Sequence, residues 1–195
     1  MGKKKHIQDV ENLFKKSPVV NAKSIEMIVN KNKNVKQYAK QLIRNLISKG
    51  RIYRLTKGFY TQEDDISISV FCFKPAYLGL QDALSFHNLW EQETIPVIIS
   101  ARKIRAGIRS IMGSNVLIRR ISKKYFFGFD YYSHNNIYLP YSDIEKTLID
   151  MVYFNERLNR EILNKIKENI DVKKLKLYLK AYPPKFRDKM LAVLR

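Results

Sequence analysis

The stretch VKQYAKQLIRNLISKGRIYRLTKGFY, residues 35–60, decides the predicted fold. Its first half has apolar residues at the i, i+3, i+4, i+7 spacing of one helix face. These are Val35, Ala39, Leu42, Ile43, Leu46 and Ile47. Gly50 is the residue type expected just beyond the end of a helix. Two β-prone runs then flank Thr56-Lys57-Gly58, a sequence typical of a tight turn, so the stretch predicts a helix followed by a hairpin.

Two further helices are predicted before this stretch. Apolar residues at positions 7, 10, 13 and 14 have helical spacing, and Ser17-Pro18 ends that helix. Asn21 is a suitable N-cap for a short helix that reaches Val29, and residues 30–34 are expected to form a polar turn. The order helix, helix, turn, helix, hairpin within about 60 residues is that of a winged helix-turn-helix domain. We predict that this DNA-binding domain spans residues 1–62.

A different pattern begins after the acidic break at residues 62–65. Strands are predicted at residues 66–73, 95–100, 116–121, 125–132 and 137–139, and helices at 78–89, 157–169, 171–181 and 184–194. Ser142 and Glu145 have the spacing of a capping box that opens one more helix, to about residue 155. The expected fold class is therefore α+β: a winged helix-turn-helix domain followed by an α/β C-terminal domain at residues 66–195, with a mixed sheet, helices and a helical tail.

The charge of the chain indicates a polyanionic partner. Its formal net charge of +19 exceeds what solubility needs and favours DNA, RNA or an anionic membrane surface. Residues 1–62 carry 15 Lys and Arg against 3 acidic residues, and the remaining residues carry 22 against 15. Cys72 is the only cysteine, which excludes an internal disulfide. Because no apolar run reaches the roughly 18 residues of a membrane span, we expect a cytoplasmic protein that binds no membrane.

The polar face of the predicted helix at residues 35–49 has residue types that read base edges. Arginine pairs with guanine, glutamine with adenine, and lysine with guanine or phosphate. Basic residues of the hairpin suit flanking phosphates or the minor groove. The solvated face of any helix in a basic protein has similar residues, but the flanking helices and hairpin favour an interface with double-stranded DNA. The predicted DNA-binding residues are Lys36, Gln37, Lys40, Gln41, Arg44, Arg51, Arg54 and Lys57.

A second group of basic residues lies in the predicted C-terminal domain. It comprises Arg102, Lys103, Arg105, Arg109, Arg119 and Arg120, followed by Lys123 and Lys124. These residues form either a solvated surface or a second phosphate-binding surface that extends the DNA footprint. The aromatic residues at 125–132 leave an alternative function open, because rings on a sheet can stack single-stranded bases. In that alternative the chain is an RNA-binding accessory protein.

Signals for catalysis are weak. A nucleotidyltransferase needs a Gly-Ser turn followed by two aspartates that alternate on one strand, whereas Gly113-Ser114 is followed only by Asp130, with Tyr132 two residues later. The histidines are scattered, and neither a nucleophile elbow nor a phosphate loop is present. We therefore predict that the protein is not an enzyme and has neither a metal site nor a cofactor. Asp130, Asp143 and Asp150 are the carboxylates to examine if this prediction is wrong.

Four segments in order resemble the AbiEi family of antitoxins and transcriptional regulators. They are LISKGRIYRL with KGFY at residues 46–55 and 57–60, YLGLQDAL at 77–84, IRAGIR at 104–109 and IEKTLID at 144–150. The resemblance covers about residues 7–155. It implies a component of a type IV toxin–antitoxin system: a winged-helix repressor that binds repeats in the promoter of its own operon. It also implies a nucleotidyltransferase-like toxin encoded alongside, which the C-terminal domain neutralises without a stable complex.

Overall fold

A computed structural model describes residues 2–29, 35–134 and 137–194, with side chains described from residue 6 onward except at positions 35 and 36. The predicted turn at 30–34 and the Lys36 side chain lie outside the described residues. The chain divides into two compact units. The first comprises Met1–Cys72 with Ser110–Ser114, and the second comprises Phe73–Arg109 with Asn115–Arg195.

Three helices and a small antiparallel sheet make up most of the first unit. The elements are α1 (Gly2–Lys16), β1 (Val20–Asn21), α2 (Ala22–Val29), α3 (Val35–Ser48), β2 (Tyr53–Thr56) and β3 (Phe59–Thr61). The sheet order is β1-β3-β2, with Val20 opposite Tyr60 and Arg54 also opposite Tyr60 on the other side. The predicted N-cap of α2 is confirmed, because Asn21 Oδ1 accepts a hydrogen bond of 2.8 Å from the Ser24 amide.

Apolar spacing correctly gives four buried residues of α3, whereas Ile47, also predicted on that face, is 38% exposed, and the Val35 side chain lies outside the described residues. Ala39, Leu42, Ile43 and Leu46 are buried and pack with Val10, Phe14, Ile25, Val29 and Ile52 into one core. Gly50 ends α3 as predicted: its φ is +64°, its amide donates to Ile47 O at 2.9 Å, and the Arg51 amide donates to Leu46 O at 2.9 Å. These paired bonds form a Schellman motif, which satisfies carbonyls that a helix end otherwise leaves unpaired.

The predicted strand at residues 66–73 is wrong. These residues form a 3-10 helix, Ile66–Phe73. Asp65 starts it, because its side chain accepts a bond of 2.8 Å from the Ser67 amide and its carbonyl accepts one of 3.3 Å from the Ile68 amide. Short apolar runs do not distinguish a buried strand from a buried helical segment by periodicity alone.

A six-stranded mixed sheet forms the centre of the second part of the chain. Its strands are β4 (Ala76–Leu78), β5 (Val97–Ser100), β6 (Gly107–Ile111), β7 (Ser114–Arg120), β8 (Phe129–His134) and β9 (Ile137–Ser142). The order is β6-β7-β5-β4-β9-β8. The pairs β5–β7 and β4–β9 are parallel, whereas β4–β5 and β8–β9 are antiparallel. The expected α+β class and mixed sheet are confirmed, although β4 and β6 were not predicted.

Five helices described in the second unit pack around this sheet. They are α4 (Leu80–Phe86), α5 (Ile144–Tyr153), α6 (Arg160–Asn169), α7 (Val172–Leu179) and α8 (Pro184–Leu194). Helix α5 is central, since residues 145–152 are all buried. The predicted capping box is wrong: Asp143, not Ser142, caps α5 by accepting a bond of 2.7 Å from the Lys146 amide. Ser142 is instead the last residue of β9, and its hydroxyl lies 2.7 Å from that of Thr147.

Candidate nucleic-acid interface

Helix α3 brings the predicted base-reading residues onto one exposed face. Gln37, Lys40, Gln41 and Arg44 fall at i, i+3, i+4 and i+7, on the side of the helix opposite its buried residues. All four are exposed, and together they line one surface depression. Within the described part of the chain, their side chains make no hydrogen bond or ion pair. The two charges and two amides are therefore available to a partner.

The hairpin that follows α3 presents three basic side chains in different surroundings. Arg54 in β2 and Lys57 in the β2–β3 turn are exposed and have no side-chain partner among the described residues. Gly58 in the same turn has a φ of +80°, a left-handed conformation that glycine adopts without strain. Arg51, just before β2, pairs with Glu11 of α1 at 2.7 Å. Their side chains are 53% and 34% exposed, and such surface pairs are worth at most about 1 kcal/mol, so a phosphate can replace Glu11.

The loop between β5 and β6, residues 101–106, carries much of the second basic group. Arg102, Lys103 and Arg105 are exposed there. Buried Ser100 anchors the start of the loop, because its hydroxyl donates to Phe73 O at 2.8 Å and accepts from the Arg102 amide at 3.1 Å. The anchored start of the loop places these basic side chains beyond the end of strand β5.

Arg119 and Arg120 do not act as a pair, because adjacent residues of a strand point to opposite faces. Arg120 is exposed and lies beside Ser100 in the parallel β5–β7 ladder, so it lies at the same end of these strands as Arg102. Arg119 instead pairs with Glu156 at 2.6 Å and lies over the ring of Phe154. Arg109 is also engaged: its guanidinium donates to Arg105 O at 2.9 Å and lies over the ring of Phe73.

The aromatic segment considered for base stacking packs mostly against its own unit. Tyr125 stacks on Tyr182 with ring centroids 4.2 Å apart, and Phe129 stacks on Tyr77 at 5.0 Å. Phe126 and Phe127 also contact aromatic rings of the second unit. Tyr131 is the exception in this segment, being 51% exposed. Rings already packed in a core are not free to stack bases.

A buried polar cluster around α5 was not predicted from the sequence. Lys146 and Asp150 are both fully buried and form an ion pair one helical turn apart. The Tyr77 hydroxyl donates to the second carboxylate oxygen of Asp150 at 2.7 Å, and Lys146 Nζ lies 3.4 Å from Tyr182 Oη. Burial lowers the pKa of Lys146 and raises that of Asp150, and each charge partly offsets the effect on the other.

The carboxylates considered for catalysis have separate structural contacts. Asp143 caps α5 and accepts from Tyr178 Oη at 2.8 Å, whereas Asp150 is enclosed with Lys146. Asp130 is exposed on β8. Among residues 2–29, 35–134 and 137–194, no group of three His, Cys, Asp or Glu side chains could hold a metal ion. No helix in the described ranges is long and apolar enough to cross a membrane.

The fold belongs to the α+β class, and a comparison with solved structures finds the same arrangement elsewhere. The crystal structure of the RV2827C protein from Mycobacterium tuberculosis resembles this chain with a TM-score of 0.61. The match covers 95% of this chain and 74% of that chain, at 13% sequence identity. At this identity the likeness shows a shared fold alone. No protein-family model and no curated protein matches the sequence.

Proposed function

We propose that the chain is a sequence-specific DNA-binding transcriptional regulator whose first unit is a winged helix-turn-helix domain. In this proposal α3 enters the major groove and the β2–β3 hairpin is the wing. The observation that carries it is the exposed face of α3, where Gln37, Lys40, Gln41 and Arg44 lie together without intramolecular partners in the described chain. Base edges offer the hydrogen bonds that these groups lack. The concentration of positive charge in residues 1–62 supports a polyanionic partner.

A gel shift with the purified full-length chain tests this function. The probe is the duplex immediately upstream of the chain's own gene, and the competitor is the same duplex in shuffled order, at two salt concentrations. We expect binding that survives an excess of shuffled competitor, because base contacts add specificity to phosphate contacts. Equal displacement by both duplexes contradicts sequence-specific regulation. Preferential displacement by single-stranded RNA supports the RNA-binding alternative.

The more specific part of the proposal is that the chain is the autorepressing antitoxin of a cytoplasmic type IV toxin–antitoxin operon. Its support is the resemblance of four segments to AbiEi proteins. The partners are then operator repeats and a nucleotidyltransferase-like toxin, neutralised without a stable complex. Co-expression with the neighbouring gene product tests this role. Rescue of growth by this chain, including a variant that no longer binds the upstream duplex, supports a separate antitoxin activity, whereas toxicity unaffected by the chain contradicts it.

We extend the proposal to a second phosphate-binding surface on the β5–β6 loop. Replacing Arg102, Lys103 and Arg105 together with alanine removes three exposed charges. If all three contact phosphates, the slope of log affinity against log salt falls by about two to three. The matched control replaces three exposed lysines with alanine: Lys173 and Lys176 of α7, and Lys180 directly after it. Equal changes in both variants assign the effect to net charge and reject the loop as a binding surface.

A further inference from the structure

Helices α1 and α2 border a surface depression of mixed polar and apolar lining, with Asp9 and Lys16 at opposite ends of its α1 side. It is lined by Asp9, Asn12, Leu13, Lys16, Met27 and Ile28, which we call the α1–α2 face. The four α1 residues occur at i, i+3, i+4 and i+7 and therefore share one side of that helix. Leu13 and Ile28 are half-buried. This face is separate from the exposed residues of α3 that carry the proposed DNA contact.

Among the described side chains of the first unit, Met27 is the most exposed large apolar one, at 77%. The inward side of α2 is formed by Ile25 and Val29, which are buried, so Met27 is not needed for the core. One exposed methionine is ordinary on a protein surface. Here, however, it borders two other apolar side chains, Leu13 and Ile28, in the same depression. Methionine is unbranched and flexible, which suits it to filling an irregular gap on a partner.

The charges of the α1–α2 face complement each other when the face meets a second copy of itself. Asp9 and Lys16 are seven residues apart, or about 10 Å along α1, and Leu13 lies between them. Neither charged group has an ion-pair partner in the part of the chain that the structure describes. A twofold axis that passes between Asn12 and Leu13 places each Asp9 opposite Lys16 of the other copy. Two identical ion pairs then flank a centre formed by Asn12 and Leu13 of both copies, with the symmetry that an isologous interface requires.

We infer that the α1–α2 face binds a second copy of this chain, with the two α1 helices antiparallel. Met27 of each copy packs in the depression of the other. Contact between two short helical faces buries less than the roughly 1,200 Å² of a stable interface, so the dimer is weak and forms at high protein concentration. The inference concerns the free protein and does not depend on the proposed DNA-binding function.

Charge reversal tests this geometry in sedimentation velocity with the full-length chain over a rising concentration series. Asp9→Lys and Lys16→Asp each place like charges opposite one another at both ends of the interface, so each variant alone stays monomeric. An equal mixture of the two dimerises, because one copy then carries two lysines where the other carries two aspartates. The double variant Asp9→Lys/Lys16→Asp also recovers the dimer. Lys15→Asp, an exposed residue outside the face, is the matched control and dimerises like the parent chain.

The parent chain remaining monomeric at every concentration overturns the inference. So does dimerisation of either single variant alone, or a mixture that associates no better than its components. The substituted side chains are exposed or half-buried, and circular dichroism confirms that each variant retains its helices. Because the measurement contains no DNA, a negative result leaves the proposed regulator intact. Likewise, if the gel shift shows no preference for the upstream duplex, the inferred dimer is not contradicted.

Discussion

Replacing Arg44 with alanine is the change on α3 that best distinguishes contacts with bases from nonspecific attraction to phosphates. The Arg44 side chain is exposed and makes no hydrogen bond or ion pair with other described residues. Arginine and alanine both favour helices, and the opposite face of α3 carries the packing. We therefore expect the free energy of unfolding to change by no more than about 0.5 kcal/mol. A loss of binding then reports on the DNA contact and not on folding.

The expected size of that loss follows from the contact that arginine makes with a guanine edge. A bidentate pair to guanine O6 and N7 contributes about 1–3 kcal/mol of discrimination against other bases. The affinity for the upstream duplex should therefore fall by about 5- to 150-fold. The affinity for shuffled duplex should fall far less, with a change in salt slope of at most about one. Arg44→Ala thus lowers the ratio of the affinity for the upstream duplex to the affinity for the shuffled duplex.

Fluorescence anisotropy with labelled upstream and shuffled duplexes over a salt series measures both effects. Lys57→Ala is the informative contrast, because a wing residue that contacts only phosphate should weaken binding to both duplexes equally and lower the salt slope by about one. Lys15→Ala, which removes the same charge from the end of α1, controls for net charge. Unchanged affinity of Arg44→Ala for the upstream duplex refutes the placement of α3 in the major groove.

Three further predictions use contacts elsewhere in the chain. Glu11→Gln removes the carboxylate that pairs with Arg51 and should raise the affinity for any duplex by up to about fivefold, because Arg51 no longer leaves an ion pair to reach a phosphate. Unchanged affinity for both duplexes contradicts a phosphate contact by Arg51. Gly128→Ala should destabilise the chain by about 1–3 kcal/mol in urea unfolding, because φ is +72° and the added Cβ meets Lys146 Cβ at 2.8 Å; a change below about 0.5 kcal/mol contradicts this packing. Asp150→Ala should lower the free energy of unfolding by about 3–5 kcal/mol, because it leaves the buried Lys146 without its ion-pair partner. Adding Lys146→Met should recover part of that loss, and equal stability of the single and double variants shows that the lysine charge is not its cause.

Local patterns were sufficient for much of the first unit. The apolar stripe of α3 predicted four buried side chains correctly and failed only at Ile47 among its described residues, so the exposed positions of Gln37 and Arg44 followed from it. Asn21 and Gly50 marked helix ends correctly because capping depends on residues within a few positions along the chain. The strand predicted at residues 66–73 failed because a short, mostly apolar run can be buried in a helical segment as well as in a strand.

The sequence by itself determined the α+β class, the buried stripe of α3 and the excess of positive charge that favours a polyanion. These properties depend on residue type and short-range spacing. Only the tertiary structure decided which basic residues remain available: Arg120 is exposed, whereas its neighbour Arg119 is held by Glu156. It also decided that Lys146 and Asp150 are enclosed and not on a surface. Burial and long-range pairing depend on residues that are distant in sequence, because the packing of other helices and strands determines which faces of an element meet water.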